Sequence, residues 1–293
     1  KNPAKTRFID SLYKKLPIPS MCFAYDYKQE RMVVIDGLQR ISTIISLMSP
    51  VSKFKLSSLD DVDVALSGKS VKYLQDQRKA VSKIENVSIP VTILRCNLKK
   101  PSHREYIFTI FHRLNTGGVT LNNQEIRNCI FQGSFNDLLF KLYKNEKWLQ
   151  FIGRQNHTGD RFKAQELILR FFAFYENLEG YEGKLSKFLN DFMDKHQDLS
   201  EEQIEAYSNL FERTVNFLSK MEEPPKTIVH REALLYAAGK NIHSIEFGNN
   251  LTPEGALVAI SNTTEFSHEN LQEGLSSKAK LPARLISAAK AVK

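Results

Sequence analysis

The sequence predicts an α+β protein, in which a mixed α/β N-terminal domain over residues 1–132 is followed by a mostly α-helical region over residues 133–293. Three observations predict it. Up to about residue 96, β-branched and aromatic runs alternate with apolar stripes at helical spacing, the pattern of a sheet flanked by helices. Beyond that point strand signals become rare, and segment after segment repeats its apolar residues at three- and four-residue intervals. The composition, 42% hydrophobic and 25% charged over 293 residues, is that of ordinary globular proteins. It excludes disordered, collagen-like and disulfide-scaffold classes, and the length suffices to bury a core without staples.

The elements follow in chain order. Phe8, Ile9, Leu12, Tyr13 and Leu16 share one helical face over residues 5–16, and Pro17-Ile18-Pro19 stops that helix. Residues 21–25 read as a strand, 26–30 as a polar hairpin turn, and 31–35 as a second strand rich in valine and isoleucine. Asp36-Gly37 then marks a strand-to-helix turn with Asp36 as N-cap, because Leu38, Ile41, Ile44, Ile45 and Met48 recur at helical spacing. A short strand at 53–56, a helix at 71–84 and a strand at 87–96 continue the alternation. Pro101 opens a helix that ends at Asn115-Thr116-Gly117-Gly118. Helices are then expected at 122–131, 134–143, 161–177, 185–193, 200–221, 230–238 and 253–261. Residues 153–159 and 222–225, the latter Glu-Glu-Pro-Pro, read as linkers.

Charge and cysteine usage narrow the function. A net charge of +8 is compatible with a polyanionic partner such as nucleic acid or nucleotide phosphate, although the cations are spread along the chain as solvated surface usually is. Cys22, Cys96 and Cys129 are far apart and set among apolar neighbours, so they read as buried free thiols of a reducing, cytoplasmic environment. No apolar run approaches the length of a membrane span. The opening Lys1-Asn2-Pro3-Ala4-Lys5 reads as an internal start rather than a signal sequence.

Two motifs can carry chemistry. In Asp36-Gly37-Leu38-Gln39-Arg40 a glycine at the turn lets backbone N–H groups approach an anion. The helix dipole favours negative charge there, and Arg40 adds a forked cation one turn in. Gln39 can orient a water, Ser42 or Thr43 can bind an oxygen or a metal, and Asp36 can hold Mg²⁺ indirectly. The alternative is an ordinary capped turn with Arg40 in a surface ion pair. The second motif is Arg113-Leu114-Asn115-Thr116-Gly117-Gly118, followed by Glu125-Ile126-Arg127-Asn128. Its glycines can wrap a ligand, with Arg113, Glu125, Arg127 and Asn128 as charged and polar rims. Equally, it can be a helix C-cap followed by a fresh N-cap at Thr120 or Asn122, with Glu125 closing a capping box.

In these two stretches the chain resembles the GmrSD-type N-terminal domain family of the ParB/sulfiredoxin-like superfold. Its hallmarks are an Asp-Gly-Gln-Gln-Arg turn and an Arg-Leu-Asn-Thr-Gly-Gly segment followed by Glu-x-Arg-Asn. Ser11-Leu12, Pro17-Ile18-Pro19, Arg161 and Glu166 to Arg170-Phe171 also resemble family positions. The resemblance implies a domain that binds, and in some members hydrolyses, a nucleoside triphosphate within bacterial systems that restrict foreign or modified DNA. It implies Asp36, Gln39 and Arg40 as catalytic residues. Gly37, Arg40, Ser42, Thr43, Arg113, Asn115, Thr116, Gly117 and Gly118 would bind the nucleotide, with Mg²⁺ accompanying it and no metal ligand assigned. Leu38 departs from the family's first Gln, a change the resemblance ties to hydrolysis rather than to anion binding by Arg40. Members also carry a strand and an aromatic-rich segment before the first helix, and this chain begins after them.

The implied partners are nucleotide, DNA, and a nuclease partner or appended module. The seven histidines are not paired as an HNH centre needs, so the sequence argues against a nuclease centre within this chain. His112 reads as a packing or solvated helix residue before a pocket residue. Phe171-Phe172-Ala173-Phe174-Tyr175 reads as core. The competing functions are a non-catalytic DNA- or protein-binding module of the same fold and a phosphodiesterase acting directly on DNA.

Overall fold

The computed structural model describes residues 2–114, 121–153, 162–248 and 251–293, apart from the side chain of Lys79. The chain divides into two compact units, Lys1–Thr120 and Leu121–Lys293. The class is mixed α+β, mostly helical with a small sheet.

In the first unit, helix α1 (Asn2–Tyr13) precedes strands β1 (Met21–Asp26) and β2 (Arg31–Asp36). Helices α2 (Leu38–Met48), α3 (Val71–Asp76) and α4 (Arg78–Glu85) lead to strand β3 (Val91–Cys96) and helix α5 (Pro101–Leu114). The sheet order is β2-β1-β3, with β1 antiparallel to β2 and parallel to β3. A hairpin makes the first pairing; the second needs a crossover, which α2 to α4 supply. Asp26 secures the hairpin: wholly buried, it accepts the Lys28 N–H at 2.9 Å on one oxygen and the Leu98 N–H at 3.1 Å on the other. One face of the sheet is dry, with Ala24, Val33 and Ile35 buried and α5 packed on β2 through a helix whose Ile107 and Phe111 are also buried. A second cluster holds α1 to the crossover through Ile9, Leu12, Leu47, Leu66, Val71 and Leu74.

The structure corrects several boundaries. The strand expected at 53–56 is a single bridge, Lys55 to Ser70, too short to form a ladder. The helix expected at 71–84 is two, because Gln77 takes a non-helical ψ of 69° between α3 and α4. The strand expected from residue 87 begins at Val91, after Pro90, which has no N–H to give a ladder. Asp36 does not cap α2: the N-cap is Gly37, in the left-handed region at φ 100°.

The second unit is helical: α6 (Asn123–Ile130), α7 (Ser134–Tyr143), α8 (Glu146–Phe151), α9 (Lys163–Asn177) and α10 (Leu185–Lys195). After these come α11 (Glu201–Leu218), α12 (Ile228–Phe247), α13 (Pro253–Ser261), a 3₁₀ turn at Thr264–Phe266, and α14 (Lys280–Ala291). Its core is aromatic. Phe135, Trp148, Phe172 and Phe211 are fully buried, and Phe172 meets the Tyr207 ring edge-on at 4.8 Å. Phe171 to Phe174 are core, as their sequence predicts. Gly239 sits where α12 crosses α9, and a Cβ there would stand 2.5 Å from the Phe171 ring. Glu222-Glu223-Pro224-Pro225 connects α11 to α12, while most of the 153–159 linker lies outside the described residues.

Candidate functional site

The turn between β2 and α2 brings Asp36, Gly37, Gln39 and Arg40 together. Gly37 is buried, and a Cβ on it would lie 2.6 Å from Met21 Cγ, so both backbone sign and space demand glycine here. Arg40 lies one turn into α2, where its Nη2 donates to Asp36 Oδ2 at 2.7 Å. Nη1 donates to the Pro19 carbonyl, and Nη2 also reaches the Ser20 carbonyl at 3.4 Å. The guanidinium thus clamps the chain entering β1 to the head of α2. This clamp could not be read from the motif, because two of its acceptors are carbonyls about 20 residues upstream that carry no side-chain signal.

The remaining predicted residues divide. Gln39 is exposed on the first turn of α2, and Leu38 is 47% exposed beside it. Thr43 is 1% exposed and donates its hydroxyl to the Gln39 carbonyl at 2.7 Å, so its side-chain oxygen is turned into the helix. Ser42 is half-buried on the same helix. Arg113 is exposed at the end of α5. Asn115, Thr116, Gly117 and Gly118 lie outside the described residues. Burial pushes the Cys22 thiol up, and Asp36, its register partner, adds to the effect. Cys96 is raised in the same way, by burial first and then by Asp26.

The rest of the second motif belongs to the helical unit and is structural. Asn122 caps α6 by accepting the Glu125 N–H at 2.9 Å, and Glu125 returns the bond to the Asn122 N–H at 2.8 Å, the capping box expected there. Arg127 is 1% exposed, with Nε on Asn190 Oδ1 at 2.8 Å and Nη1 on Glu166 Oε2 at 2.9 Å. Glu166 Oε1 takes Arg170 Nη2 at 2.7 Å, and Arg170 Nη1 reaches Glu232 Oε1 at 3.2 Å. Charges therefore alternate along Arg127, Glu166, Arg170 and Glu232, drawn from three helices. Burial alone would push the Glu166 carboxyl up, but Arg170 and Arg127 together outweigh it and hold it below the usual carboxylate range. A cleft of about 510 Å³ in this unit is lined by Asn122, Asn123, Gln124, Lys163 and the outer atoms of Glu166 and Arg170, with Leu167 and Ile228 as its apolar wall. Sequence reasoning missed Asn190 and Glu232, since nothing local distinguishes them from solvated helix residues.

Among the described residues no group of three His, Cys, Asp or Glu side chains could hold a metal ion. None of the described helices is long and apolar enough to cross a membrane.

Comparison with known proteins adds one result. No curated protein and no solved structure matches the chain. A family model, described as GmrSD restriction endonuclease, N-terminal domain, matches residues 1–132, which span both the β2–α2 turn and the capping box of α6. Over residues 1–132, just under half of its length, the chain is similar to the GmrSD restriction endonuclease N-terminal domain family.

Proposed function

We propose that the N-terminal unit is the nucleotide-binding component of a DNA-restriction or anti-phage defence system, taking the phosphates of a nucleoside triphosphate at the head of α2. The observation that carries this reading is the open N-terminus of α2: Gly37 gives it no side-chain cap, and its first turn holds no acidic residue. Its first N–H groups and the positive end of its dipole are left for an anion, with Arg40 fixed alongside. The family match over residues 1–132 supports the restriction setting. With that setting come a ParB/sulfiredoxin-like reading of the α/β unit, a bacterial cytoplasmic location, DNA as a partner, and a nuclease as partner or appended module.

Mg²⁺ fits this site only as a companion of the triphosphate. Asp36 is the one carboxylate in the turn, and one of its oxygens is bonded to Arg40, so most ligands would have to be phosphate oxygens and water, as Mg²⁺ commonly accepts. Bound there, the ion would neutralise charge on the phosphates. Hydrolysis, the finer part of the proposal, falls to Gln39, whose exposed amide can orient an attacking water. The clamp on Arg40 favours a second reading, a binding module without turnover, because a guanidinium bonded to Asp36 and two carbonyls has fewer donors for a transition state.

Thermal stability with each nucleoside triphosphate and Mg²⁺ tests binding. A ligand at about 100 times its Kd adds about 2.7 kcal/mol. Leu38→Glu should abolish that shift while leaving the unliganded protein within about 0.5 kcal/mol, since an exposed acid in a first turn suits the dipole but repels phosphate. No shift with any nucleotide, in a cooperatively melting protein, would overturn the proposal. A shift without phosphate release would establish the second reading.

A further inference from the structure

The sheet of the N-terminal unit has a second face, which the nucleotide site does not use. Along β1 the buried residues Cys22, Ala24 and Asp26 alternate with half-buried Phe23 and Tyr25, which point the other way. The alternation runs one step past the strand, because the Tyr27 N–H still bonds the Cys96 carbonyl at 3.1 Å. Three aromatic residues therefore follow one another on one face of the central strand, at residues 23, 25 and 27, with a backbone spacing of about 6.7 Å. The outer strands leave them open. Phe23 lies between Val34 and Ile93, Tyr25 lies between Met32 and Arg95, and Met32 and Ile93 are 53% and 52% exposed.

Charge complementarity identifies what such a face would take. Arg95 is exposed, and its guanidinium lies 5.1 Å from the centre of the Tyr27 ring, with the Lys28 ammonium 6.0 Å from the same ring. Neither rung, Val34-Phe23-Ile93 or Met32-Tyr25-Arg95, contains an acidic residue. Aromatic residues in file on two rungs that carry no carboxylate, with cations at one end, match a polyanion that carries flat rings. The geometry points to a single-stranded nucleic acid laid along β1, its bases stacking on Phe23, Tyr25 and Tyr27 and its phosphates meeting Arg95 and Lys28. A duplex does not fit, because its bases are paired and stacked on one another and leave no free face for these rings. The face is distinct from the head of α2 and requires no nucleoside triphosphate.

Fluorescence anisotropy with a labelled single-stranded oligothymidylate, compared with a duplex of mixed sequence and without nucleotide, tests this. We expect the single strand to bind at least about tenfold more tightly than the duplex, and affinity to fall steeply between about 50 and 200 mM salt. Arg95→Glu and Tyr25→Ala should each weaken binding about tenfold or more. Ile45→Ser, on an exposed position of α2, should leave it unchanged, as should Leu38→Glu, which separates this result from the nucleotide proposal. Should Tyr25→Ala fail to fold, Arg95→Glu and quenching of native tyrosine emission by the oligonucleotide decide the question. The inference is overturned by absence of single-strand binding in the folded protein at about 50 mM salt, by equal binding of duplex, or by binding that Arg95→Glu leaves intact. It is equally overturned by a dimer that Ile93→Lys disperses in a protein binding no nucleic acid, which would make the face an interface between copies.

Discussion

At φ 100°, with Met21 Cγ 2.6 Å from where a Cβ would stand, Gly37 faces two separate penalties on substitution. Gly37→Ala should cost about 1–3 kcal/mol for the left-handed backbone alone, with the methyl contact added to it. Chemical denaturation of a double-mutant cycle separates them: a Met21→Ala background removes the Cγ and Sδ contacts, leaving only the 3.1 Å approach to Cβ beside the backbone part. The need for glycine was legible in Asp36-Gly37, since a strand ran into a helix there. The role of Arg40 was legible only as a choice between anion binding and an ion pair, because neither Pro19 nor Ser20 advertises a carbonyl acceptor. Glu166 offers a second test at this scale. Its pKa is depressed in the folded protein, so its contribution is complete above the unfolded carboxyl's value of about 4.5 and is lost as pH falls through the lower folded value. Glu166→Gln should cost about 3 kcal/mol near neutrality, because it uncouples the buried Arg127 and the half-buried Arg170. That difference from the native protein should shrink below about pH 4.5, and a pH-independent difference would contradict the ion-pair account.

Long elements with a periodic stripe and a defined stop are legible in the sequence, whereas α8 and α14, at Glu146–Phe151 and Lys280–Ala291, have no counterpart among the expected helices. The β1–β2 hairpin, α2 and the capped start of α6 combine apolar periodicity with turn or cap residues, so local signals agreed with one another. Residues 71–84 carry one continuous stripe, and nothing local marks the break at Gln77, whose side chain suits a helix interior. Helix ends were limited in the same way: the residue 230–238 stripe grew to Ile228–Phe247 because the buried face of α12 continues through Ile242 and Ile245 past a charged turn. Where a cap is explicit its cost can be stated. Ser200 accepts the Gln203 N–H at 3.3 Å, and Gln203 returns the bond to the Ser200 N–H at 2.9 Å, closing a box at the head of α11. Ser200→Ala should therefore destabilise the protein by about 1 kcal/mol and Ser200→Gly by only a few tenths, measured by urea denaturation. Equal losses for both would mean that the cap contributes less than the serine's other contacts.

The division of the molecule bears on where the helical unit begins. The matched family model ends at residue 132, whereas the second compact unit starts at Leu121. The twelve or so residues between these limits carry α6, whose Ile126 and Ile130 are buried and whose Arg127 supplies the first charge of the alternating series. Sequence periodicity placed α6 correctly but could not say which core it joins, because an amphipathic stripe names a face and not its partner. The partners are Glu166 on α9 and Asn190 on α10, both in the helical unit. A fragment of residues 121–293 should accordingly fold with a cooperative urea transition and a helical circular-dichroism spectrum. A fragment starting at residue 133 loses Arg127, Ile126 and Ile130 together. It exposes the surface they cover and leaves Glu166 with one cation fewer, so it should be less stable by about 3 kcal/mol or more. If the shorter fragment matched the longer one in urea midpoint, α6 would be an ornament of the helical core rather than part of it, and Arg127 would have to be reconsidered as a residue kept for binding.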